Sequence, residues 1–256
     1  MLEIQGLTKC YRNNPVVNDV SFTVRPGEVT GYLGPNGSGK STTVKIITGL
    51  IEATTGTVLL DGRDIREDPM GFRRRLGYVP EEAILYSYLT GLEYLELIGR
   101  LRGLDPGEVE RKANGLLELF SLQSYRHASI STYSKGMKQR VLISAALLHD
   151  PDVLILDEPL SGIDVTSAQL FRHLLNELAS QGKTILYISH VLEVVEKVCA
   201  RVIIIYKGRI MAADSVERLR DLMNVPSLEG IFSQLVEERD LEGVARDIVA
   251  TIQTRA

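Results

Sequence analysis

Gly34-Pro35-Asn36-Gly37-Ser38-Gly39-Lys40-Ser41-Thr42 fits the pattern G-x-x-x-x-G-K-[ST], with Gly34, Gly39, Lys40 and Ser41 in the fixed places. Ahead of it Val29-Thr30-Gly31-Tyr32-Leu33 reads as a short buried strand, and after it Thr42 to Leu50 reads as a helix closed by Gly49. A strand, a glycine-rich loop and a helix in that order form a phosphate cradle. The glycines let backbone N–H groups turn inward, and the helix adds the positive end of its dipole. Lys40 is expected to reach the β- and γ-phosphates, and the Ser41 hydroxyl to ligand Mg²⁺. The bland alternative, a glycine-rich turn with a solvated lysine, does not account for the flanking strand and helix.

The chain of 256 residues is long enough for one large α/β domain, or one domain carrying a lobe. Apolar residues make up 44% and charged residues 24%, the proportions of an ordinary soluble globular protein. A formal charge of −4 argues against nucleic acid as a partner. The cluster Arg73-Arg74-Arg75 then reads as a solvated face. Cys10 and Cys199 make no disulfide framework, which points to a reducing cytoplasm. No signal peptide is read at Met1–Gly6, and no apolar run reaches the length of a membrane span. Any work at a membrane is therefore expected to need another chain.

Outward from the loop, Leu2–Gln5, Val20–Val24 and Thr57–Leu60 alternate as strands of a small antiparallel sheet. Leu76–Pro80 reads as a further short strand. Residues 91 to 148 hold three helical patterns, Leu92–Arg102, Pro106–Leu122 and Gly136–His149, which read as a helical lobe inserted at about 82–150. Apolar strands at 153–156, 184–188 and 202–206 alternate with helices at 166–180 and 191–200, the signature of a parallel sheet covered on both faces. The domain is expected to run from 1 to 225, with Pro226 opening an amphipathic helical extension over 226–256. In that extension Leu228, Ile231, Phe232, Leu235 and Val236 trace one face, and Leu241, Val244, Ile248 and Ile252 another.

Val153-Leu154-Ile155-Leu156-Asp157-Glu158 is an apolar strand ending in two carboxylates, placed where a parallel sheet puts its ligands. Asp157 suits a magnesium role, and Glu158 suits a general base toward the attacking water. Tyr133-Ser134-Lys135-Gly136-Met137 opens a helix just before that strand. Together with Ser161-Gly162-Ile163-Asp164 and Ser189-His190, these stretches follow the order and spacing of an ABC-type ATPase, which the chain resembles from about residue 2 to about residue 220.

The resemblance implies a P-loop α/β fold in which two such domains close head to tail around two ATPs. Gly34 to Thr42 would cradle the phosphates, and Tyr11 would stack on the adenine. Ser134, Lys135, Gly136 and Met137 would face the γ-phosphate held by the partner domain. That wording departs from the family's usual L-S-G-G-Q at Tyr133, Lys135 and Met137, while Ser134 and Gly136 are kept. His190 would contact the γ-phosphate and hold water and Glu158 in line, and Asp164 would lie at the dimer interface. A second departure is Glu81, which stands where the family commonly has a glutamine that binds Mg²⁺. Carboxylate oxygen suits that ion too, so the metal set is Ser41, Asp157 and Glu81.

The implied function is ATP hydrolysis in the nucleotide-binding subunit of an ABC transporter. It would sit on the inner face of the membrane, docked through residues 81–100 on separate membrane-spanning permease subunits. The segment Pro226–Phe232 and the Tyr133–Met137 wording are similar to ATPase chains of two-component export systems, which points to export. The alternative is an ATP-gated ABC clamp acting on a soluble complex, against which stand the single phosphate loop and the lack of sustained heptads.

Overall fold

The computed structural model describes residues 1–161 and 164–235, so Gly162, Ile163 and the tail positions Val236, Leu241, Val244, Ile248 and Ile252 lie outside the described residues. Two sheets carry the chain. The first holds β1 (Leu2–Tyr11), β2 (Asn14–Val24), β4 (Thr55–Leu60) and β5 (Arg63–Asp64) in the antiparallel order β2-β1-β4-β5. The second runs β10-β9-β3-β8-β7-β6, built from β3 (Val29–Leu33), β6 (Leu76–Val79), β7 (Val153–Asp157), β8 (Thr184–Ile188), β9 (Arg201–Tyr206) and β10 (Arg209–Ser215). All its pairs are parallel except β9 with β10.

The second sheet is buried on both faces because its residues alternate between two cores. Leu154, Leu156, Ile185, Tyr187, Val202 and Ile204 enter one apolar cluster. Val153, Ile155, Leu186, Ile188, Ile203 and Ile205 enter the other, shared with the antiparallel sheet. A two-residue side-chain period delivers neighbouring residues to opposite faces, so a continuous apolar run is what this position requires.

The second of these clusters also holds α1 (Lys40–Ile47), through Val44, Ile46 and Ile47. The lobe consists of α3 (Gly91–Leu101), α4 (Pro106–Leu119) and α5 (Lys135–Leu147), after the short α2 (Pro69–Arg75). Thr90 and Glu93 close a capping box at the start of α3, and Asp105 caps α4 ahead of Pro106. Helix α5 belongs to both halves of the molecule. Val141, Ala145 and Leu148 pack into the lobe's own core, while Leu142, Ile143 and Ala146 pack into the main one. Helix α5 thus ties the lobe to the main core.

The remaining helices are α6 (Val165–Ser180), α7 (Leu192–Val198), α8 (Val216–Met223) and α9 (Leu228–Leu235). The described part of the expected extension, α9, buries Leu228 and Ile231 completely in the main core beside α7 and α8. An ion pair between Arg220 of α8 and Glu196 of α7 holds the same corner. Helices α2 and α8 and strands β5 and β10 go beyond what the sequence pattern shows. A proline at N1 behind the capping Asp68 marks the start of α2, and Ser215 caps α8.

Candidate active site

Four neighbouring strands of the large sheet, in the order β3-β8-β7-β6, end at the same edge. The register sets Tyr32 against Ile188, Asp157 against Ile188, and Val79 against Leu156. The residues leaving these ends are therefore neighbours in space though far apart in sequence. Asn36, Gly37, Gly39, Lys40, Ser41 and Thr42 from the glycine loop line one cleft with Glu81, Asp157, Glu158 and His190. Val16 of β2 closes its side.

The loop needs its glycines for two different reasons. A Cβ on Gly34 would lie 2.4 Å from the Ile205 carbonyl oxygen and 2.5 Å from Ser38 Oγ. Gly39 holds φ +105, where L side chains are strained, and a Cβ there would meet the Val16 carbonyl at 2.7 Å. Gly39 also stands at the N-cap of α1 and offers no side-chain cap. The first-turn N–H groups of α1 are thus left facing the cleft, together with the positive end of the helix.

Lys40 Nζ donates to the carbonyls of Gly34 (2.6 Å) and Pro35 (3.1 Å), which folds its side chain back over the loop. Burial lowers its pKa, and the charges of Glu158, Asp157 and Glu81 act in the opposite direction. Asp157 is buried, which pushes its pKa up to about 6, and Glu81 and Glu158 push the same way against Lys40. A buried carboxylate beside two others is a place that gains from a cation.

Glu158 takes the left-handed conformation at φ 48, uncommon for a residue with a side chain. Its N–H donates to the Ile188 carbonyl at 3.0 Å, so the turn after β7 is sewn to the end of β8. The carboxylate is then held from three directions. Oε2 accepts from Ser189 Oγ (3.0 Å), and Oε1 accepts from the His190 main-chain N–H (2.7 Å) and meets His190 Nδ1 at 2.5 Å.

The other expected site residues fall into two groups. Ser41, Asp157 and Glu81 line the cleft together and are all oxygen donors, which fits a hard divalent cation. Among the described residues no three or more His, Cys, Asp or Glu are arranged to hold a metal by themselves. A cation here would need phosphate oxygens to complete its shell. Ser134 caps α5, its Oγ accepting from Met137 N–H at 3.2 Å, and Lys135 Nζ donates to Ser161 Oγ at 2.8 Å. Asp164 caps α6 through the Ser167 N–H (2.9 Å) and hydroxyl (2.7 Å). Neither the signature residues nor Asp164 line the cleft of their own chain.

Tyr11 is 48% exposed beside Lys9 and is not among the cleft residues. Sequence reasoning missed Val16, which lies past the hairpin turn at Arg12-Asn13 and carries no chemical signal. It also missed Ser189 as a ligand of Glu158, although Ser189 stands directly before His190 at the end of β8.

A family model described as "ABC transporter" matches residues 17–161. The ABC transporter ATP-binding protein NatA of Bacillus subtilis is 38% identical over 222 residues, covering 86% of this chain and 90% of that protein. The Nod factor export ATP-binding protein I of Ralstonia nicotianae is 34% identical over 276 residues, covering 100% of this chain and 85% of that one. A solved dimer of the ATP-binding cassette MJ0796, described as a post-hydrolysis state bound to ADP and Pi, superposes with a TM-score of 0.78 at 26% identity, covering 84% of this chain and 98% of that chain.

Proposed function

The chain belongs to the ABC transporter family of ATP-binding subunits, and from that premise we propose how its residues divide the work. It is an ATPase, and hydrolysis drives transport through partner chains that span the membrane. The observation that carries the assignment of roles is a single cleft. It brings the uncapped start of α1 and Lys40 together with a carboxylate gripped by Ser189 and His190.

The N–H groups of residues 37 to 42 and the ammonium of Lys40 bind the β- and γ-phosphates and orient the γ-phosphorus. Glu158 accepts the proton of the attacking water, and its three hydrogen bonds fix where that water must stand. His190, largely exposed in the same cleft, faces the γ-phosphate. Ser41, Asp157 and Glu81 would hold Mg²⁺, which would supply neutralisation of phosphate charge. Tyr11, exposed at the β1–β2 hairpin, stacks on the adenine.

The second half of each site comes from another ATPase domain. The start of α5, Ser134 to Met137, would face its γ-phosphate through main-chain N–H groups and the Ser134 hydroxyl, with Asp164 in the same interface. The exposed side chains Ile84 (80%) and Tyr88 (76%) sit in the segment proposed to dock on the permease. No described helix is long and apolar enough to cross a membrane. The permease would bring the chain to the inner face of the membrane. Export is the direction favoured, on the tail and signature wording and on the relative named for Nod factor export.

The test is a pull-down of tagged Glu158→Gln chain from detergent-solubilised membranes with MgATP present. Stoichiometric recovery of a multi-span protein is expected. Recovery of soluble partners alone would contradict the transport assignment.

A further inference from the structure

We propose that Lys135 is a positioning residue that ties the start of α5 to the turn carrying Glu158, and so sets the turnover rate of the site in its own chain. The proposal rests on the ATPase reading above. Lys135 occupies the first position of α5, where a positive charge opposes the helix dipole, so helix stability does not explain it. Its residue four places on, Gln139, is buried and uncharged, which leaves no helical ion pair either. The exposed ammonium instead reaches 26 residues along the chain to Ser161 Oγ, 2.8 Å away. Holding a long side chain in one geometry has an entropic cost, so the contact has a specific geometry to maintain.

Ser161 is linked to the main chain of the catalytic residue. Its N–H donates to the Glu158 carbonyl at 3.1 Å, closing the turn in which Glu158 adopts φ 48. The other end of that turn is fixed by Glu158 N–H on Ile188, and the carboxylate by Ser189 and His190. Lys135 therefore holds the Ser161 end of the turn from the start of α5. Release of Ser161 lets the turn relax, and the Glu158 carboxylate loses part of its alignment. Since α5 also joins the lobe core to the main core, a shift of the lobe reaches Glu158 along the same path.

The experiment is steady-state ATP hydrolysis by the full chain as wild type, Lys135→Met, Lys135→Arg, Ser161→Ala and the Lys135→Met/Ser161→Ala double variant. Lys135→Met and Ser161→Ala are each expected to lower kcat about fivefold with KM for ATP within about twofold, the size of one ordinary solvent-exposed hydrogen bond. The double variant should be no slower than the slower single one. Lys135→Arg, which keeps the donor, should recover most of the loss. Unchanged kcat in Lys135→Met overturns the proposal. So does a raised KM in Lys135→Met with Ser161→Ala silent, because the lysine would then act on the neighbouring subunit's phosphate directly. Should Lys135→Met melt early, Ser161→Ala carries the test alone, and a normal kcat there overturns it. A wild-type chain without ATPase activity would instead bring down the ATPase reading beneath it, a result visible before any variant is compared.

Discussion

Glu158 and His190 are joined at two points: Glu158 Oε1 accepts the His190 main-chain N–H at 2.7 Å and meets His190 Nδ1 at 2.5 Å. The main-chain contact survives any side-chain change at 190, while the ring contact does not. Glu158 is thus held in part by backbone and in part by a replaceable side chain.

His190→Ala should therefore leave Glu158 partly held, and lower kcat by about 100-fold, the cost of losing alignment and a phosphate contact together. KM for ATP should change little. Phosphate release measured against ATP concentration separates the two, and a KM effect without a kcat effect would contradict the role.

Gly34→Ala should abolish nucleotide binding. The added methyl would meet the Ile205 carbonyl and Ser38 Oγ, and backbone cannot yield as a flexible side chain can. The loop must move, with a stability loss of about 1–3 kcal/mol as well. Equilibrium binding of a fluorescent ATP analogue checks the first, urea unfolding the second.

His149 gives the fold a sensitivity to acid. Its Nε2 faces the Leu76 carbonyl at 3.0 Å, Nδ1 is buried with no partner, and burial with nearby Arg102 pushes its pKa down to about 4. The unfolded chain takes up a proton near pH 6.5 that the folded chain refuses until about pH 4. Stability from this group is present above pH 6.5 and is lost as pH falls through that window. The urea midpoint of wild type should fall more between pH 6.5 and 5 than that of His149→Gln.

Ile231→Ala should destabilise the chain by about 2–4 kcal/mol, because Ile231 is fully buried against the core and its truncation leaves a cavity. Thermal and urea unfolding check this. A loss below about 0.5 kcal/mol would mean that α9 does not pack on the core in solution.

The elements that sequence made legible are those where chemistry and pattern coincide. The glycine loop needs its residues for phosphate, and β7 needs a fully apolar run before Asp157 because both its faces are buried. Both can be read without knowing the fold. Strand β10 alternates exposed and half-buried residues without a fully buried one, and it exists because Lys207-Gly208 turns the chain back onto β9. Helix α8 is eight residues long, and its amphipathic face only acquires meaning against α9 and β10. Of the expected site, Asn36, Gly37, Gly39 to Thr42, Glu81, Asp157, Glu158 and His190 line one cleft, while Gly34, Pro35 and Ser38 lie behind its lining. Tyr11 and Asp164 do not line it: Tyr11 stands at the β1–β2 hairpin, and Asp164 caps α6.

The most direct test of the central claim is ATP hydrolysis by purified Glu158→Gln chain, with nucleotide binding followed in the same samples. Glutamine keeps the shape and cannot take the proton from water. Phosphate release should fall by about 100-fold or more while ATP binding is retained. Hydrolysis at the wild-type rate would contradict the assignment of Glu158 as the base, and with it the mechanism built on its contacts with Ser189 and His190.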